Sequence, residues 1–229
     1  MNICVTGGAG FIGSHLVDRL IELGHNVLVI DNLSTGMRSF VHEDAQFIEM
    51  DVRDPKLVSI FEEFKPSIVF HEAAQTMVQS SMENPGYDCD VNLLGLINVL
   101  DACRKVKVEQ FLMPSSAAVY GDLAVLPLTE DLSGMPSSFY GLTKLTAEGY
   151  LRIYREAFGL NTVCFRYANV YGPRQGDGGE GGVISIFNRL IVEGKPLTVY
   201  GDGEQTRDFI YVEDVVEANI KAMGNNNCT

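Results

Sequence analysis

Basic residues and long apolar stretches are scarce in this sequence. Lysine and arginine number 17 against 30 aspartate and glutamate residues, so the 229-residue chain carries a formal net charge of −13. A negative field of this size argues against a nucleic-acid backbone as the partner, because it repels phosphates. No apolar run approaches the ~20 residues that a membrane span needs, and the N-terminus lacks the basic region of a signal peptide. We therefore expect a soluble protein that binds neither nucleic acid nor a membrane.

The cysteines exclude two further kinds of site. They number five, an odd count, and no two of them form a C-x-x-C pair. The sequence therefore indicates neither a disulfide framework nor a metal site. Cys4 and Cys164 stand inside apolar runs, as buried thiols commonly do. We expect the reducing cytoplasm as the location.

Short apolar runs alternate with helical patterns from the first residue onward. The runs predict strands at 2–6, 27–30, 45–50, 67–70, 110–113 and 162–165. Helical patterns follow between Gly10 and Gly24 and at about 54–64, 86–105 and 139–158. Apolar strands separated by helices indicate a parallel sheet that is covered on both faces. Right-handed crossovers make this a doubly wound α/β fold of the Rossmann type.

The pattern changes after Tyr167. Residues 172–182 contain six glycines and predict a mobile loop. The elements predicted after it are a helix at 183–193, strands near 197–200 and 208–211, and a helix at 212–223. We expect the polar residues 224–229 to be frayed.

This change predicts two domains of unequal size. A dinucleotide-binding domain covers 1–166, and residues 207–223 return to it. A smaller, partial substrate domain comprises 167–206 and 224–229.

Three glycines, Gly7, Gly10 and Gly13, stand between the first strand and the first helix. A turn this tight needs glycine, and side chains there would block a pyrophosphate, which the helix dipole and free N–H groups attract. Asp31 ends the second strand, where a carboxylate accepts both ribose hydroxyls and repels a 2′-phosphate. The pattern predicts NAD as the cofactor, with a structural glycine turn as the alternative.

Asp51 ends the third strand in the same way. Its carboxylate is placed to reach the amino group of an adenine. The alternative is that Asp51 caps the helix that begins near Pro55.

Tyr140 and Lys144 lie four residues apart at the start of a predicted helix and therefore share one face. A phenol ordinarily titrates near ~10, so a tyrosine base needs a neighbouring cation that stabilises the phenolate. Ser116 follows the fifth strand at its carboxyl end, where its hydroxyl can bridge the phenol and a substrate oxygen. A surface Tyr/Lys pair is the alternative. A nucleophilic serine is disfavoured because G-x-S-x-G is absent.

These motifs resemble those of the extended short-chain dehydrogenases/reductases. The resemblance rests on Thr6–His15 (TGGAGFIGSH), the run SSAAVYG at 115–121, and Tyr140-x-x-x-Lys144. The stretches RYANVYGPR at 166–174 and RDFIYV at 207–212 resemble the NAD-dependent nucleotide-sugar epimerase/dehydratase family, nearest its UDP-sugar 4-epimerases. The resemblance implies epimerisation at C4 of a UDP-hexose through a transient 4-keto sugar, with Tyr140 as the base.

The residues after Ser116 separate the reactions within that family. Dehydratases carry an Asp-Glu pair there and UDP-glucuronate decarboxylases usually a Glu, whereas this chain has Ala117 and Ala118. Eliminating water needs an extra proton donor, so dehydration is disfavoured. Oxidation followed by reduction, as in a 4-epimerase, is what remains.

The resemblance also implies a set of binding residues. Ser116, Tyr140 and Lys144 are the expected catalytic residues, and Lys144 also holds the nicotinamide ribose. The expected cofactor contacts are Gly7, Gly10, Phe11, Ile12, Asp31, Asn32, Ser34, Thr35, Gly36, Asp51, Val52, Ala73, Ala74, Gln75, Asn92, Ser115, Tyr140, Lys144 and Tyr167. The expected contacts to the UDP-sugar are Thr76, Ser116, Asn169, Val183, Thr198, Tyr200 and Arg207. The alternatives are a helix-start side chain for Asn92 and a core residue for Tyr200.

The chain departs from the family pattern in several places. Glu72 replaces a commonly apolar residue near the cofactor, and Pro114 precedes the serine pair. Family members continue past the last predicted helix, so the substrate domain is expected to be shortened. Two alternatives stay open: another nucleotide-sugar epimerase, such as one for UDP-glucuronate, or a fragment that binds NAD or nucleotide-sugar with little activity. The resemblance also implies a homodimer that pairs helices 86–105 and 139–158.

Overall fold

The computed structural model describes residues 1–123, 125–176 and 182–225. Its centre is a sheet of six parallel strands in the order β3-β2-β1-β4-β5-β6. The strands are β1 (Asn2–Thr6), β2 (Asn26–Asp31), β3 (Gln46–Glu49), β4 (Ile68–His71), β5 (Gln110–Ser116) and β6 (Asn161–Tyr167). This confirms the predicted doubly wound fold. The strand order reverses between β1 and β4, so the crevice beyond their carboxyl ends is where such a sheet binds ligands.

Helices cover both faces of this sheet. The α-helices of the described residues are α1 (Phe11–Glu22), α2 (Leu57–Phe64), α3 (Val78–Glu83), α4 (Pro85–Cys89), α5 (Gly95–Val106), α6 (Phe139–Phe158), α7 (Val183–Val192) and α8 (Val212–Ala222). Of these, α1, α2, α5, α6 and α8 pack against the strands. Alternate residues of β1 point to opposite faces. Accordingly, Cys4 belongs to an apolar cluster with α2, α5 and α6, whereas Ile3 and Val5 belong to a second cluster with α1 and α8. Near-continuous apolar strands are thus explained by burial on both sides.

The helix predicted at 86–105 is built from three segments. It begins at Pro85, with Asn84 as its cap, and ends at Val106. Between α4 and α5 the residues Asp90–Leu94 form a π-helical segment. Such π-helical segments are rare in proteins, and those that occur are often found at functional sites. The sequence pattern does not distinguish this segment from an ordinary α-helix.

A second, smaller sheet follows the first. It pairs β7 (Asn169–Tyr171) with β8 (Phe209–Tyr211) in parallel. The strand predicted near 208–211 is confirmed by β8, and the three-residue β7 was not predicted. The strand predicted at 197–200 is wrong: this segment is irregular, and Val199 and Tyr200 are exposed. A strand needs a neighbour for its backbone groups, and none of the described strands lies beside it.

The last helix, α8, packs against the first helix and the sheet. Arg19 of α1 and Glu217 of α8 form an ion pair of 3.0 Å, and the Gln110 side chain donates to the carbonyl of Ala222.

Within the loop predicted at 172–182, residues 177–181 lie outside the described part, as do 226–229 of the predicted frayed end. Across the described residues, no helix is long and apolar enough to cross a membrane.

Candidate active site

A cleft of about 790 Å³ opens beyond the carboxyl ends of the central strands. It brings together most of the predicted site residues: Gly7, Gly10, Phe11, Ile12, Asp31, Asn32, Ser34, Thr35, Asp51, Val52, Ala73, Ala74, Gln75, Thr76, Ser115, Ser116, Tyr140, Lys144, Tyr167, Asn169, Val183 and Arg207. Four predicted residues are not among those that line it: Gly36, Asn92, Thr198 and Tyr200. The volume is within the range of small-molecule and cofactor sites.

The glycine turn packs so closely against neighbouring backbone that it has no room for side chains at Gly7 and Gly13. Gly7 has a φ of +73°, and a Cβ on it would lie 2.5 Å from the backbone nitrogen of Ala73. A Cβ on Gly13 would lie 2.3 Å from the carbonyl oxygen of Gly7. Gly10 precedes α1 and offers no side-chain cap, so the first-turn N–H groups at Phe11 remain available to an anion. The turn fits the pyrophosphate of a dinucleotide.

Asp31 lies at the end of β2 and lines the same cleft. Its Oδ2 accepts a 3.0 Å hydrogen bond from the N–H of Ala9, and its Oδ1 accepts one of 2.8 Å from Leu33. A carboxylate has about four acceptor positions. Two of them hold the carboxylate in place, and two are left for the hydroxyls of a ribose. This arrangement fits the adenosine half of NAD.

The loop after Asp31 packs closely against the glycine turn. A Cβ on Gly36 would lie 2.9 Å from the carbonyl carbon of Ala9, and the N–H of Met37 donates to the oxygen of Ala9. Ser34 and Thr35 line the cleft as a result. Gly36 therefore permits this close approach without being a cleft residue itself.

Asp51 is held by Arg53. The Arg53 guanidinium donates to both oxygens of Asp51, at 2.8 and 2.7 Å, and also pairs with Asp90. Asn32 donates to Asp51 at 2.8 Å. These bonds, led by that of the Arg53 side chain, hold the pKa of the Asp51 carboxyl well below its usual range. The alternative of a helix cap is wrong, because α2 begins after Lys56.

Ser116, Tyr140 and Lys144 meet at the other end of the cleft. The Nζ of Lys144 is buried, lies 6.0 Å from the centre of the Tyr140 ring and donates to the carbonyl of Pro114 at 2.9 Å. The Ser116 hydroxyl accepts a 3.2 Å hydrogen bond from the N–H of Ala118. A phenol, an ammonium and a hydroxyl thus face one space, which is the set that proton transfer at a sugar hydroxyl needs.

A buried carboxylate, Asp88, connects the walls of the cleft. It accepts hydrogen bonds from the Gln75 amide at 2.7 Å, from the Asn92 amide at 3.2 Å and from the Thr143 hydroxyl at 2.8 Å. Asn92 also exchanges two hydrogen bonds with the backbone of Gln75, at 2.9 and 3.0 Å. Asn92 lies in the π-helical segment, so it supports the cleft wall from behind instead of lining it.

Ser115 takes part in a second network behind the catalytic residues. Its hydroxyl donates to Glu148 at 2.6 Å, and Glu148 forms a two-point ion pair with Arg166 at 3.0 and 2.8 Å. Arg166 also lies over the ring of Tyr120. The network joins β5, α6 and β6 directly beneath Ser116, so it fixes the helix of Tyr140 and Lys144 relative to the strands.

Glu72 follows β4 and also lines the cleft. Burial raises the pKa of its carboxyl to about 7, and the charge of Lys144 opposes that shift. Its Oε1 is buried, and no described residue donates to it. Tyr167 lies nearby, where burial raises the pKa of its phenol well above the usual value and its hydroxyl accepts from the Asn219 amide.

The cleft is also lined by four of the residues that are expected to contact the UDP-sugar. Thr76, Asn169, Val183 and Arg207 line it, and the Asn169 amide donates to the carbonyl of Asp208 at 3.1 Å. Arg207 is exposed and donates to the carbonyl of Thr206, which leaves most of its donors available. Thr198 and Tyr200 do not join them: both lie on the exposed irregular segment.

Arg53, Asp88 and Glu148 were not anticipated from the sequence. The spacing of two of them could have predicted their role. Asp88 precedes Asn92 by four residues, and Glu148 follows Lys144 by four. Each therefore shares a helix face with a predicted site residue. No comparable local spacing connects Arg53 to Asp90, because that contact depends on the fold.

Comparisons with known proteins agree with this geometry. The NAD dependent epimerase/dehydratase family matches residues 3–228. The chain is 45% identical over 222 residues to the putative UDP-glucose 4-epimerase of Methanocaldococcus jannaschii, a match that covers 96% of this chain and 73% of that protein.

Solved structures match equally well. The UDP-glucose 4-epimerase of Thermotoga maritima with UDP-glucose matches with a TM-score of 0.96 and 43% identity, over 98% of this chain and 74% of that one. The UDP-glucose 4-epimerase of Thermus thermophilus in complex with NAD matches with a TM-score of 0.93 and 42% identity, over 98% and 75%. By its match over nearly all its residues and its identity to these relatives, the chain belongs to the NAD dependent epimerase/dehydratase family.

Proposed function

We propose that this chain is an NAD-dependent 4-epimerase that interconverts UDP-glucose and UDP-galactose through a transient 4-keto sugar. The observation that carries the proposal is the convergence of Ser116, Tyr140 and Lys144 at one end of the cleft. The opposite end, with the glycine turn and Asp31, fits the pyrophosphate and the adenosine ribose of NAD. A reacting sugar that enters between them meets a base and an oxidant together.

When bound, NAD would supply the redox chemistry, as acceptor of a hydride from C4 and donor of that hydride to the opposite face of the sugar. The chain supplies the proton transfer. The Tyr140 phenolate accepts the proton of the 4-hydroxyl as the carbonyl forms, and gives it back in the reverse step. Ser116 already accepts from the Ala118 N–H, so its own proton is free to hydrogen-bond the reacting oxygen.

Lys144 serves this proton transfer in two ways. One of its three N–H donors is used by the Pro114 carbonyl, which fixes the side chain. Its charge then stands 6.0 Å from the centre of the Tyr140 ring, close to the place where the sugar hydroxyl is proposed to react. The two remaining donors are available to the ribose of the cofactor.

The turn after Ser116 argues against dehydration. Ala117 and Ala118 occupy the 3₁₀ turn that directly follows Ser116. Neither side chain can donate a proton to a leaving hydroxyl. The site therefore fits a reaction in which the sugar is oxidised at C4 and the keto sugar is then reduced again, with no elimination step.

Arg207 and Asn169 are proposed to hold the diphosphate of the substrate. The chain is acidic overall, and the exposed guanidinium of Arg207 places a local positive charge at the mouth of the cleft. Guanidinium groups bind phosphates through paired hydrogen bonds. Binding of the uracil by Thr198 and Tyr200 stays a prediction.

We also propose a division into a NAD-binding domain of 1–166 with 207–223, and a smaller substrate domain of 167–206 with 224–229. The packing of α8 on α1 supports the return of 207–223 to the first domain. Its last helix thereby completes one face of the sheet.

A cytoplasmic homodimer is the proposed state of the protein. On α6, Leu142 and Ile153 are 49% and 47% exposed, and Leu94 beside α5 is 56% exposed, which leaves an apolar face for a second copy. Cys4, Cys89, Cys103 and Cys164 are free thiols, as a reducing compartment maintains. Light scattering at micromolar concentration tests the dimer, and a monomer there rejects it.

The test of the proposed activity is the replacement of Tyr140 by Phe. The purified chain should interconvert UDP-glucose and UDP-galactose, and Tyr140→Phe should slow this by at least about a hundredfold, the scale of general acid–base catalysis. NAD binding should be unchanged. Tyr150→Phe on the same helix, where the side chain is 37% exposed, is the matched control and should keep full activity. An active Tyr140→Phe variant would overturn the proposal.

A further inference from the structure

Glu72 lines the cleft together with Lys144, and the proton-transfer scheme gives its carboxyl no role. It follows β4, which lies between β1 and β5 in the sheet. Asp31, on β2, is the expected contact of the adenosine ribose, and the glycine turn after β1 is the expected contact of the pyrophosphate. A dinucleotide that extends from the first position through the second has its nicotinamide half over β4 and β5, where Glu72 and Lys144 line the cleft.

We propose that Glu72 sets the preference of this cleft between the oxidised and the reduced nicotinamide, by placing a carboxylate near the ring. The ring carries a positive charge in NAD⁺ and none in NADH. An ionised carboxylate beside it therefore stabilises NAD⁺ relative to NADH, and a protonated one does not. The inference rests on the family's cofactor and not on which sugar is the substrate.

The contacts of Glu72 support this role. Its Oε1 is buried without a donor among the described residues, which is a costly position for a carboxyl that serves only the fold. Its backbone is fixed, because the N–H donates to the carbonyl of Thr6 at 2.9 Å and the residue presses against Gly7. Neither Glu148 nor Asp88 can take its place, since each already accepts hydrogen bonds from neighbouring side chains.

The charged and titratable groups around Glu72 come from two elements. The charge of Lys144 on α6 acts on the Glu72 carboxyl, and Glu72 in turn acts on the phenol of Tyr167 on β6. His71, its neighbour in the chain, is neutral at physiological pH because burial lowers its pKa to about 3; its Nδ1 is hydrogen-bonded to Thr6 Oγ1 at 2.7 Å. Burial raises the pKa of Glu72 to about 7, so its charge changes within the physiological range.

The experiment measures the relative affinity for the two forms of the cofactor. The full chain is equilibrated with NADH, whose fluorescence reports binding, and NAD⁺ is titrated against it at pH 6 and pH 8.5. In the unsubstituted chain the ratio of the two dissociation constants should shift about tenfold toward NAD⁺ at the higher pH. Glu72→Gln should abolish that shift and resemble the unsubstituted chain at pH 6.

A matched control is Glu109→Gln. Glu109 is exposed and directly precedes β5, at the amino end of the strand, whereas the cleft lies at the carboxyl ends. Its replacement removes the same charge. This variant should keep the tenfold shift. Equal weakening of NAD⁺ and NADH by Glu72→Gln would overturn the inference, because it would assign Glu72 to charge compensation of Lys144 alone. A ratio independent of pH in the unsubstituted chain would overturn it as well.

The proposed sugar chemistry and this inference fail separately. Loss of UDP-sugar turnover with an intact pH-dependent ratio would reject the 4-epimerase and keep Glu72 as the discriminating residue. Failure of both cofactor forms to bind would reject the inference together with the cofactor assignment.

Discussion

Asp88 Oδ2 accepts a 2.8 Å hydrogen bond from the hydroxyl of Thr143, which lies between the catalytic candidates Tyr140 and Lys144 on α6. The same hydroxyl oxygen lies 3.0 Å from the carbonyl oxygen of Tyr140. Asp88 is fully buried, and its other oxygen holds Gln75 on the opposite wall of the cleft. One carboxylate thereby fixes the distance between the catalytic helix and the loop expected to carry the cofactor.

Replacement of Asp88 by Asn should disturb this spacing without removing a reacting group. One acceptor becomes an N–H₂ donor that faces other donors, so we expect a loss of about 1–3 kcal/mol in the free energy of unfolding. Turnover should fall by about tenfold, with little change in KM for the sugar. Urea unfolding and steady-state kinetics measure both. Asp44→Asn, at an exposed loop position, is the control, and equal effects in the two variants would argue against a positioning role.

Glu148 should contribute to stability far more than an exposed glutamate on the same helix. Its pair with Arg166 is partly buried, with side chains 19% and 18% exposed, whereas the pair of Glu156 and Arg152 is 60% and 64% exposed. Glu148→Gln should therefore cost about 1–3 kcal/mol in the free energy of unfolding, and Glu156→Gln less than about 0.5 kcal/mol. Thermal or urea unfolding compares the two. Equal costs would mean that the Glu148 pair is screened like a surface one.

Asp31 should decide between NAD and NADP. Its carboxylate is fixed by two backbone N–H groups and repels a 2′-phosphate, so Asp31→Asn should improve the binding of NADP relative to NAD by at least about tenfold. Fluorescence titration with NADH and NADPH gives the ratio. An unchanged ratio would place the adenosine ribose elsewhere in the cleft.

Glu72 should make the stability of the cofactor-free chain depend on pH. Its carboxyl has a folded-state pKa of about 7 against an ordinary 4.5. Between these values the unfolded chain has lost a proton that the folded chain retains, so rising pH lowers stability by up to ~1.4 kcal/mol per pH unit. Below them both states are protonated, and the effect disappears. Urea unfolding should show that the free energy of unfolding of Glu72→Gln rises relative to that of the unsubstituted chain from pH 5 to pH 7. A difference between the two chains that does not change with pH would refute a buried, titrating Glu72.

Local rules predicted much of the fold because its parallel strands are buried on both faces. Apolar runs such as Val27–Ile30 have no solvent face to interrupt them. The two glycines answer local requirements, since Gly7 has a φ of +73° and a Cβ on Gly13 would lie 2.3 Å from the carbonyl oxygen of Gly7. The shared helix face of Tyr140 and Lys144 likewise follows from their spacing.

What the sequence did not predict depends on contacts between distant residues. The apolar alternation at 197–200 favours a strand, but no described strand pairs with it. The bond of Asp88 to Thr143 joins residues 55 positions apart, and the isolation of Glu72 Oε1 depends on what β4 and α6 place around it. Spacing along the chain contains no information on such relations.

The most direct test of the central claim follows the hydrogen at C4. The purified chain with NAD is given UDP-galactose carrying deuterium at C4, and the products are examined by mass spectrometry and NMR. We predict UDP-glucose that retains the deuterium at C4, because the hydrogen is removed and returned within one cleft without exchange with water. UDP-glucose that has lost the deuterium, or no UDP-glucose at all, would contradict it.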